Sequence, residues 1–577
     1  MGARVRRTTT TIFIVAAALA ALAADNDQST QQVVNGSRFG DEVDVTVANL
    51  DVFVRDRQGR PVEGLTAEDF RAIQDGIEMP ISNFAALTPE VLETRFQATE
   101  TGDPVAQEAA TAPPHIPPAY VVLHIDNENL RALNRNRVLT RVRTFVEETL
   151  AAPVQMMVVS SRRSLEIRQP FTDNPDAVMG ALQRVAKESG ARIVRDRERR
   201  RILVDMEQFA GDPQTFGPDY LRTIEARLFK VQVQGWIMAY AEEESGVLKD
   251  TLAGLREVVR LVSGIEGRRS IVYVSSGLPM TPGLGLMHEY AEIFRDTTIF
   301  NRVARLDFKQ RFRSLANAAN REGVSLYTID ASGLNPLEGF GAEDRYVPEA
   351  RASWVSQSNL QEPLSYMADA TGGLAVLNTN DVTAGLRLIR DDLVSYYSLG
   401  YRITSNGEDT VHHIEVELPG HPDYDIRYRK WFVEKSLETR VRERVLQTLI
   451  RDIGHNPMDL QLTVGDPAPA SGKRWEVPIR VSIPINSLAM EAEAGGDLVA
   501  HVELFFGVRD ARGDESPTQR RQYAVRIPAA QFVADQEQRC GIVVELLFKE
   551  QQHTVAVGLM DRGTRQTSFV RTVVGVP

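Results

Sequence analysis

The chain has 577 residues. A single hydrophobic core does not extend over that length, so the length predicts about three domains. Hydrophobic residues make up 43% and charged residues 25%, a balance that excludes a disordered or membrane-embedded protein. The net charge of −12 argues against nucleic acid as the main partner, because phosphate binding requires a basic surface. Cys540 is the only cysteine, which excludes an intrachain disulfide and a cysteine-based zinc cluster.

The first residues have the pattern of a secretory signal. Basic residues up to Arg7 precede an apolar run at 12–23, and small residues at Ala21 and Ala23 indicate cleavage before Ala24. We therefore expect residues 1–23 to be a signal peptide and the mature chain to be secreted or periplasmic. A non-spanning amino-terminal anchor is the alternative. No later segment approaches the ~20 apolar residues of a spanning helix, so no transmembrane segment is expected in the mature chain.

Residues 41–88 alternate between apolar and polar side chains with the two-residue period of strands. This stretch predicts a small β module, too short to be a complete sandwich, and strand-like runs within residues 405–432 are expected to complete it. Residues 89–118 are rich in Ala, Thr, Glu and Pro, which predicts a linker.

Residues 119–403 alternate short apolar runs with amphipathic helical stretches, a pattern typical of a mostly parallel sheet covered on both faces. We predict a doubly wound α/β domain flanked by all-β modules. The expected strands are 120–125, 154–160, 271–275, 324–329, 374–377 and 393–401, with 164–171 as an antiparallel edge strand. A helical connector is predicted at 433–459 and a carboxyl-terminal β-sandwich at 460–577.

Residues 192–265 interrupt this alternation with two long helical patterns, which predict an inserted helical hairpin. Its start is rich in arginine, at Arg192, Arg195, Arg197, Arg199, Arg200 and Arg201. These side chains could contact an acidic partner. Because Asp196 and Glu198 interleave with them, a solvated helix face is the preferred interpretation.

Oxygen-bearing side chains follow the predicted strands, at the end of an open sheet where ligands bind. They are Asp126, Asn127, Glu128, Asn129, Ser160, Ser161, Ser275, Ser276, Asp330 and Ser332. Carboxylate and hydroxyl oxygens are the ligands of hard cations, so Mg²⁺ or Mn²⁺ could bind here. The alternative is that Asp126 and Asn127 cap the following helix and that Asp330 closes the turn at Ser332.

The layout of 120–126 followed by a helix, then 270–277 and 323–330, resembles von Willebrand factor A domains. The Leu-Thr-Ala-Glu-Asp-Phe stretch at 65–70 and the Tyr-Tyr-Ser-Leu-Gly-Tyr stretch at 396–401 are similar to a bacterial family of von Willebrand factor A-related proteins common in Acidobacteria. The resemblance implies an α/β domain that binds protein ligands, often through a metal ion-dependent adhesion site.

That adhesion site uses an Asp-x-Ser-x-Ser motif, a distant Thr and a second Asp. Asp126 matches the first Asp, but Glu128 and Leu130 stand at the serine positions and Ser276 stands at the second Asp. The resemblance therefore implies a degenerate metal site formed by Asp126, Glu128, Ser276 and Asp330.

No Gly-x-Ser-x-Gly elbow, His-Glu-x-x-His helix or phosphate loop occurs in the sequence, so no enzyme class is indicated. We predict a non-enzymatic binding protein for a protein ligand. The expected ligand-binding face consists of Asn127, Asn129, Ser160, Ser161, Ser275 and Ser332. The alternatives are a structural or assembly protein of the cell envelope without a metal and, third, a hydrolase.

Overall fold

The computed structural model describes residues 44–88, 91, 119–162, 164–211, 224–265, 267–334, 350–405, 407–450, 454–472, 474–493, 496–528, 538–549 and 551–576. The predicted signal peptide and the predicted linker, apart from residue 91, lie outside these residues. The described residues divide into two compact units. The first contains Val45–Thr404 and Thr410–Glu434, and the second contains Ser405–Asp409 and Lys435–Pro577.

The first unit contains a β module and an α/β part. In chain order its strands are β1 (Asp44–Arg55), β2 (Arg71–Gln74), β3 (Ile77–Met79), β4 (Ile81–Leu87), β5 (Ala119–Asp126), β6 (Val154–Arg162), β7 (Ser164–Thr172), β8 (Arg269–Ser275), β9 (Val324–Asp330), β10 (Ala375–Val376), β11 (Tyr396–Ser405), β12 (Thr410–Glu417), β13 (Asp425–Tyr428) and β14 (Trp431–Glu434). Its helices are α1 (Ala132–Leu150), α2 (Pro175–Ala186), α3 (Arg192–Gly211), α4 (Ile224–Val262), α5 (Leu284–Phe294), α6 (Lys309–Arg321), α7 (Ala350–Ala370) and α8 (Thr383–Val394).

A mixed sheet organises the α/β part. Its described strands lie in the order β10-β9-β8-β5-β6-β7. Only β7, at the edge of this described sheet, runs antiparallel to its neighbour. The prediction of a mixed α/β protein with additional β-sheets is confirmed at this level.

Alternation along β5 explains why both faces of this sheet are covered. Val121, Leu123 and Ile125 pack into a core with α1, α2 and α8. Val122 points the other way, into a core with α4, α6 and α7. The chain leaves β5 towards β6 on one side and returns to β8 on the other. The strand order therefore reverses between β5 and β8.

The β module consists of two four-stranded sheets in the described chain, with orders β13-β1-β11-β4 and β14-β12-β2-β3. One strand expected at 393–401 in the parallel sheet belongs here instead. Residues 393 and 394 end α8, and β11 pairs with β4 from Tyr396 onwards. Strand periodicity does not specify which sheet a strand joins, which explains the difference.

Buried charges attach the β module to the α/β part. The Asp392 carboxylate accepts hydrogen bonds from Arg55 at 2.6 Å and from Arg427 at 2.6 and 2.7 Å. The Arg268 guanidinium lies over the rings of Phe53 and Tyr396, at 4.8 and 4.7 Å from their centroids. Arg268 immediately precedes β8, so this attachment lies at the amino-terminal end of the parallel strands.

The second unit contains α9 (Leu437–Ile450) followed by β15 (Gln461–Val464), β16 (Ala468–Ala470), β17 (Arg474–Pro484), β18 (Glu491–Ala492), β19 (Asp497–Asp510), β20 (Gln519–Pro528), β21 (Arg539–Lys549), β22 (Gln552–Asp561) and β23 (Thr567–Gly575). These strands form antiparallel sheets around an apolar core. The helix expected as a connector packs on them, because Val441, Val445 and Leu449 form a cluster with Phe505 and Phe569. In the described part of the chain no helix has the length and apolar composition needed to cross a membrane.

Candidate functional site at the strand ends

The candidate site lies where β5 and β8 end beside each other, at the reversal in strand order. Asp126 is the last residue of β5, opposite Ser161 in β6, and Ser275 is the last residue of β8, opposite Asp330 in β9. The structure therefore brings four of the predicted site residues to adjacent strand ends.

The Asp126 carboxylate is fully buried and surrounded by hydrogen-bond donors. Asn129 donates twice, from its backbone N–H at 3.2 Å and from its side-chain amide at 2.8 Å. The Tyr273 hydroxyl also donates to it, and the hydroxyls of Ser161 and Ser275 lie at 3.4 Å. Since a carboxylate offers about four lone-pair positions, these donors occupy it.

Tyr273 was missed in the sequence analysis, although a signal for it existed. It lies two residues before Ser275 in β8, and the two-residue period of a strand places both side chains on one face. Burial together with the neighbouring Asp126 raises the pKa of Tyr273 well above its usual value. The phenol therefore stays protonated and remains a donor to the carboxylate.

His124 lies on the same face of β5 as Asp126, and its buried ring packs against the ring of Tyr273. Its Nε2 lies 3.0 Å from the Ser161 hydroxyl. Burial lowers the pKa of His124 from 6.5 to about 4, although the Asp126 carboxylate acts in the opposite direction. The imidazole is therefore neutral at pH 7.

The histidine and serine do not form a hydrolytic centre as arranged. A general base is most effective with a pKa near the working pH, whereas that of His124 is about 4. The Nδ1 of His124 also finds no hydrogen-bond partner among the described residues, so no carboxylate orients the ring. This geometry disfavours the hydrolase alternative.

The inserted hairpin covers the loop that follows β5. Arg195 in α3 donates to the backbone oxygen of Glu128 at 2.6 Å and to the side-chain oxygen of Asn129 at 3.1 Å. Arg192 donates to the backbone oxygens of Asn129 and Ser276, at 3.5 and 3.2 Å. The interpretation of this cluster as a solvated face is therefore wrong for two of its arginines.

The remaining arginines of the cluster behave differently. Arg197 and Arg200 are exposed. Arg201 forms an ion pair with Glu198 at 2.6 Å on the helix surface. Arg199 donates to Ser356 at 3.4 Å. The sequence pattern did not separate the arginines that contact the rest of the protein, Arg192, Arg195 and Arg199, from the exposed ones, because their partners lie far away in the chain.

Most of the predicted face is shielded from solvent in this structure. The buried members of the predicted set are Asp126, Asn127, Asn129, Ser160, Ser275, Ser276 and Asp330. Glu128, Ser161 and Ser332 are partly exposed. A partner that approached the strand ends would therefore meet these three residues and the surface of the insertion.

Several of the buried residues are held by further hydrogen bonds. Asn127 donates to Glu188 at 2.6 Å and accepts from Arg135 at 3.0 Å. Ser160 accepts from Arg168 at 2.8 Å. These contacts fix the loop after β5 and the end of β6 as parts of the protein's own packing.

The capping alternative for Asp126 and Asn127 is wrong, whereas the turn at Asp330 is confirmed. Helix α1 begins at Ala132, beyond the turn that Asp126 stabilises, and Arg131 precedes it without a side-chain cap. Asp330 accepts a hydrogen bond from the backbone N–H of Ser332 at 2.8 Å and another from Gln361 at 2.9 Å.

The four residues implied as a metal site, Asp126, Glu128, Ser276 and Asp330, do not fit Mg²⁺ or Mn²⁺ as they are arranged. The donors around Asp126 occupy its oxygens, and the cationic Arg195 lies 3.9 Å from Glu128. The Asp330 carboxylate accepts hydrogen bonds from Ser332 and Gln361, and Ser276 Oγ and Glu128 Oε2 are buried without a hydrogen-bond partner among the described residues. All three carboxylates are therefore engaged by protein donors or by a neighbouring guanidinium, whereas Mg²⁺ binds proteins through one or two available carboxylates and retained waters.

No protein-family model matches the chain, and no curated protein matches it. Similar solved structures include an aerotolerance-related membrane protein from Bacteroides fragilis and BatB from Bacteroides thetaiotaomicron. Both are 10% identical over 48% of this chain, with 98% and 97% of their own lengths covered and TM-scores of 0.22. The pilus adhesin SpaC from Lactobacillus rhamnosus is 6% identical, over 80% of this chain and 53% of its own, with a TM-score of 0.25. Likenesses at these TM-scores carry no argument about fold or function.

Proposed function

We propose that this is an exported, non-enzymatic binding protein that recognises a protein ligand through a von Willebrand factor A-like domain. The observation that carries the proposal is a set of exposed apolar side chains on the two helices of the insertion. All are more than half exposed: Ile193 and Val194 adjoin Arg192 and Arg195, which contact the strand-end loops, and Ile224, Leu228 and Val231 lie on the first turns of α4. Exposed apolar groups that accumulate on one element are typical of protein interfaces.

The von Willebrand factor A-like assignment is supported by the position of Asp126. It ends β5 beside the reversal in strand order, where the resemblance places the first residue of the adhesion site. The hydrogen bonds to its carboxylate support recognition that does not depend on a metal ion. The recognition surface is then formed by the insertion together with Glu128, Ser161 and Ser332.

Photo-crosslinking tests this surface even though the ligand is unidentified. A benzoylphenylalanine at position 194 of the full chain, produced in its own cells, is expected to give a discrete protein adduct. The control probe replaces Ile77, which is 67% exposed in the β module. Failure to crosslink from position 194, or the same adduct from both positions, contradicts the proposal.

Export is tested on the same preparation. Mass spectrometry of the purified protein is expected to find Ala24 as the amino-terminal residue and to find the protein outside the cytoplasm. An intact amino terminus on a cytoplasmic protein contradicts this part of the proposal.

A further inference from the structure

An acidic cleft opens beside the candidate site, between α4 and the β6–β7 hairpin. Its volume is about 540 Å³, within the range of roughly 300–1,000 Å³ typical of ligand sites. The residues that line it are Glu128, Ser161, Ser164, Leu165, Val247, Asp250, Thr251, Ala253, Gly254 and Glu257. The cleft therefore joins the strand-end loops to one face of the long helix of the insertion.

The charged groups that line this cleft all carry the same sign. They are the carboxylates of Glu128, Asp250 and Glu257, and no Lys or Arg belongs to the described lining. Two of them have a basic neighbour, since Arg195 lies 3.9 Å from Glu128 and Arg260 lies 3.6 Å from Glu257. The pair with Arg260 is exposed and therefore weak.

Glu128 supplies a second indication of a ligand. Its side chain is 18% exposed, and its Oε2 is buried without a hydrogen-bond donor among the described residues. The Arg195 guanidinium at 3.9 Å compensates this partly buried carboxylate only weakly, and a cationic group in the cleft would compensate its charge further.

The shape of the helix face leaves room for an elongated ligand. Val247, Asp250, Gly254 and Glu257 recur at the spacing of one helical face. A side chain at Gly254 would meet no atom within 4 Å of its Cβ, so this glycine leaves open space. Apolar groups from Leu165 and Val247 lie beside the carboxylates, as an alkyl chain that ends in a cation requires.

We propose that the cleft binds an organic cation with an alkyl stem, of the size of an arginine or lysine side chain. The proposal rests on the proposed function where that side chain belongs to the protein ligand. A free amine with the same chemistry would occupy the same cleft. The two sources are separated by the choice of probe.

Saturation-transfer NMR on the full mature chain tests the cleft with agmatine and with acetyl-Gly-Arg-Gly-amide. The corresponding citrulline peptide has nearly the same shape without the charge. We expect saturable transfer to agmatine, to the arginine peptide or to both, and none to the citrulline peptide. Agmatine alone assigns the cleft to free amines, whereas the peptide assigns it to a protein segment. The absence of transfer to either cation overturns the proposal.

Two sets of variants locate the binding. Asp250→Asn combined with Glu257→Gln is expected to weaken cation affinity about tenfold. Gly254→Leu fills the cleft and is expected to abolish binding while raising the melting temperature, because leucine favours a helix more than glycine does. The controls are Glu242→Gln and Gly246→Leu, which lie on the same helix outside the described lining.

The assignment of cation binding to this cleft is overturned if Gly254→Leu still binds the cation. It is also overturned if Gly246→Leu loses as much cation affinity as Gly254→Leu. Failure of the cleft is distinguishable from failure of the proposed function, because the crosslink from position 194 requires no cation. If the protein crosslinks from position 194 but binds no cation, only the proposed cation site in the cleft is rejected. If the protein binds the cation but does not crosslink from position 194, only the proposed recognition surface is rejected.

Discussion

Arg195 in the insertion donates a hydrogen bond to the side-chain oxygen of Asn129 at 3.1 Å, and Asn129 in turn donates to Asp126 at 2.8 Å. This relay connects an inserted helix to the end of the first parallel strand. Asn129 also donates to Thr251 in α4 at 2.9 Å, so both helices of the insertion hold the same amide. The insertion is therefore part of the site.

Loss of the Arg195 guanidinium should loosen the insertion. Arg195→Met retains most of the apolar stem but leaves the Asn129 and Glu128 oxygens without this donor, so we expect the free energy of unfolding to fall by about 3 kcal/mol. Chemical denaturation measures the change. The control is Arg197→Met on the exposed side of the same helix, for which we expect a change within about 0.5 kcal/mol. Equal effects of the two substitutions would refute the relay.

His124 should make the protein sensitive to mild acid. Its pKa falls from 6.5 to about 4 on folding, so the unfolded chain binds a proton in that range before the folded chain does. The contribution of His124 to stability is complete above pH 6.5 and is lost as the pH falls through 4. It amounts to about 3 kcal/mol.

The measurement is the free energy of unfolding between pH 7 and pH 4, for the wild type and for His124→Phe. Over this range the free energy of unfolding of the phenylalanine variant should fall by about 3 kcal/mol less than that of the wild type. Parallel curves for the two proteins would show that the buried imidazole does not titrate as described.

Asp392 should be the most sensitive position at the junction of the β module and the α/β part. Asp392→Asn leaves the guanidiniums of buried Arg55 and partly buried Arg427 without their carboxylate, and we expect the free energy of unfolding to fall by about 3–5 kcal/mol. The neighbouring Asp391 pairs with Arg390 nearer the surface. Asp391→Asn should therefore cost less than about 1 kcal/mol in the same denaturation experiment. A small effect at Asp392 would mean that the junction depends on apolar packing instead.

The sequence predicts the parallel strands because each is a short buried run. The run at 154–160, for example, lies within β6. It also predicts the two helices of the insertion. It does not predict where the insertion packs, since Arg195 and Asn129 are 66 residues apart and both are ordinary polar residues in the sequence.

The sequence predicts the position of the site but not its detail. Asp126 follows a buried strand, which is enough to place it at a strand end. Its contact with Tyr273 depends on pairing between strands that are 147 residues apart, and strand periodicity does not encode that register. The contact of Arg192 with the backbone of Ser276 comes from the insertion, which lies outside the strand pattern altogether.

The measurement that tests the account most directly is calorimetric titration of the mature chain with Mg²⁺ and Mn²⁺, with a chelator and with the Asp126→Asn variant. We predict no saturable heat and no effect of the chelator on the melting temperature, because protein donors occupy the Asp126 carboxylate. Saturable binding by the wild type that is lost in Asp126→Asn would contradict the account and would restore a cation-dependent adhesion mechanism.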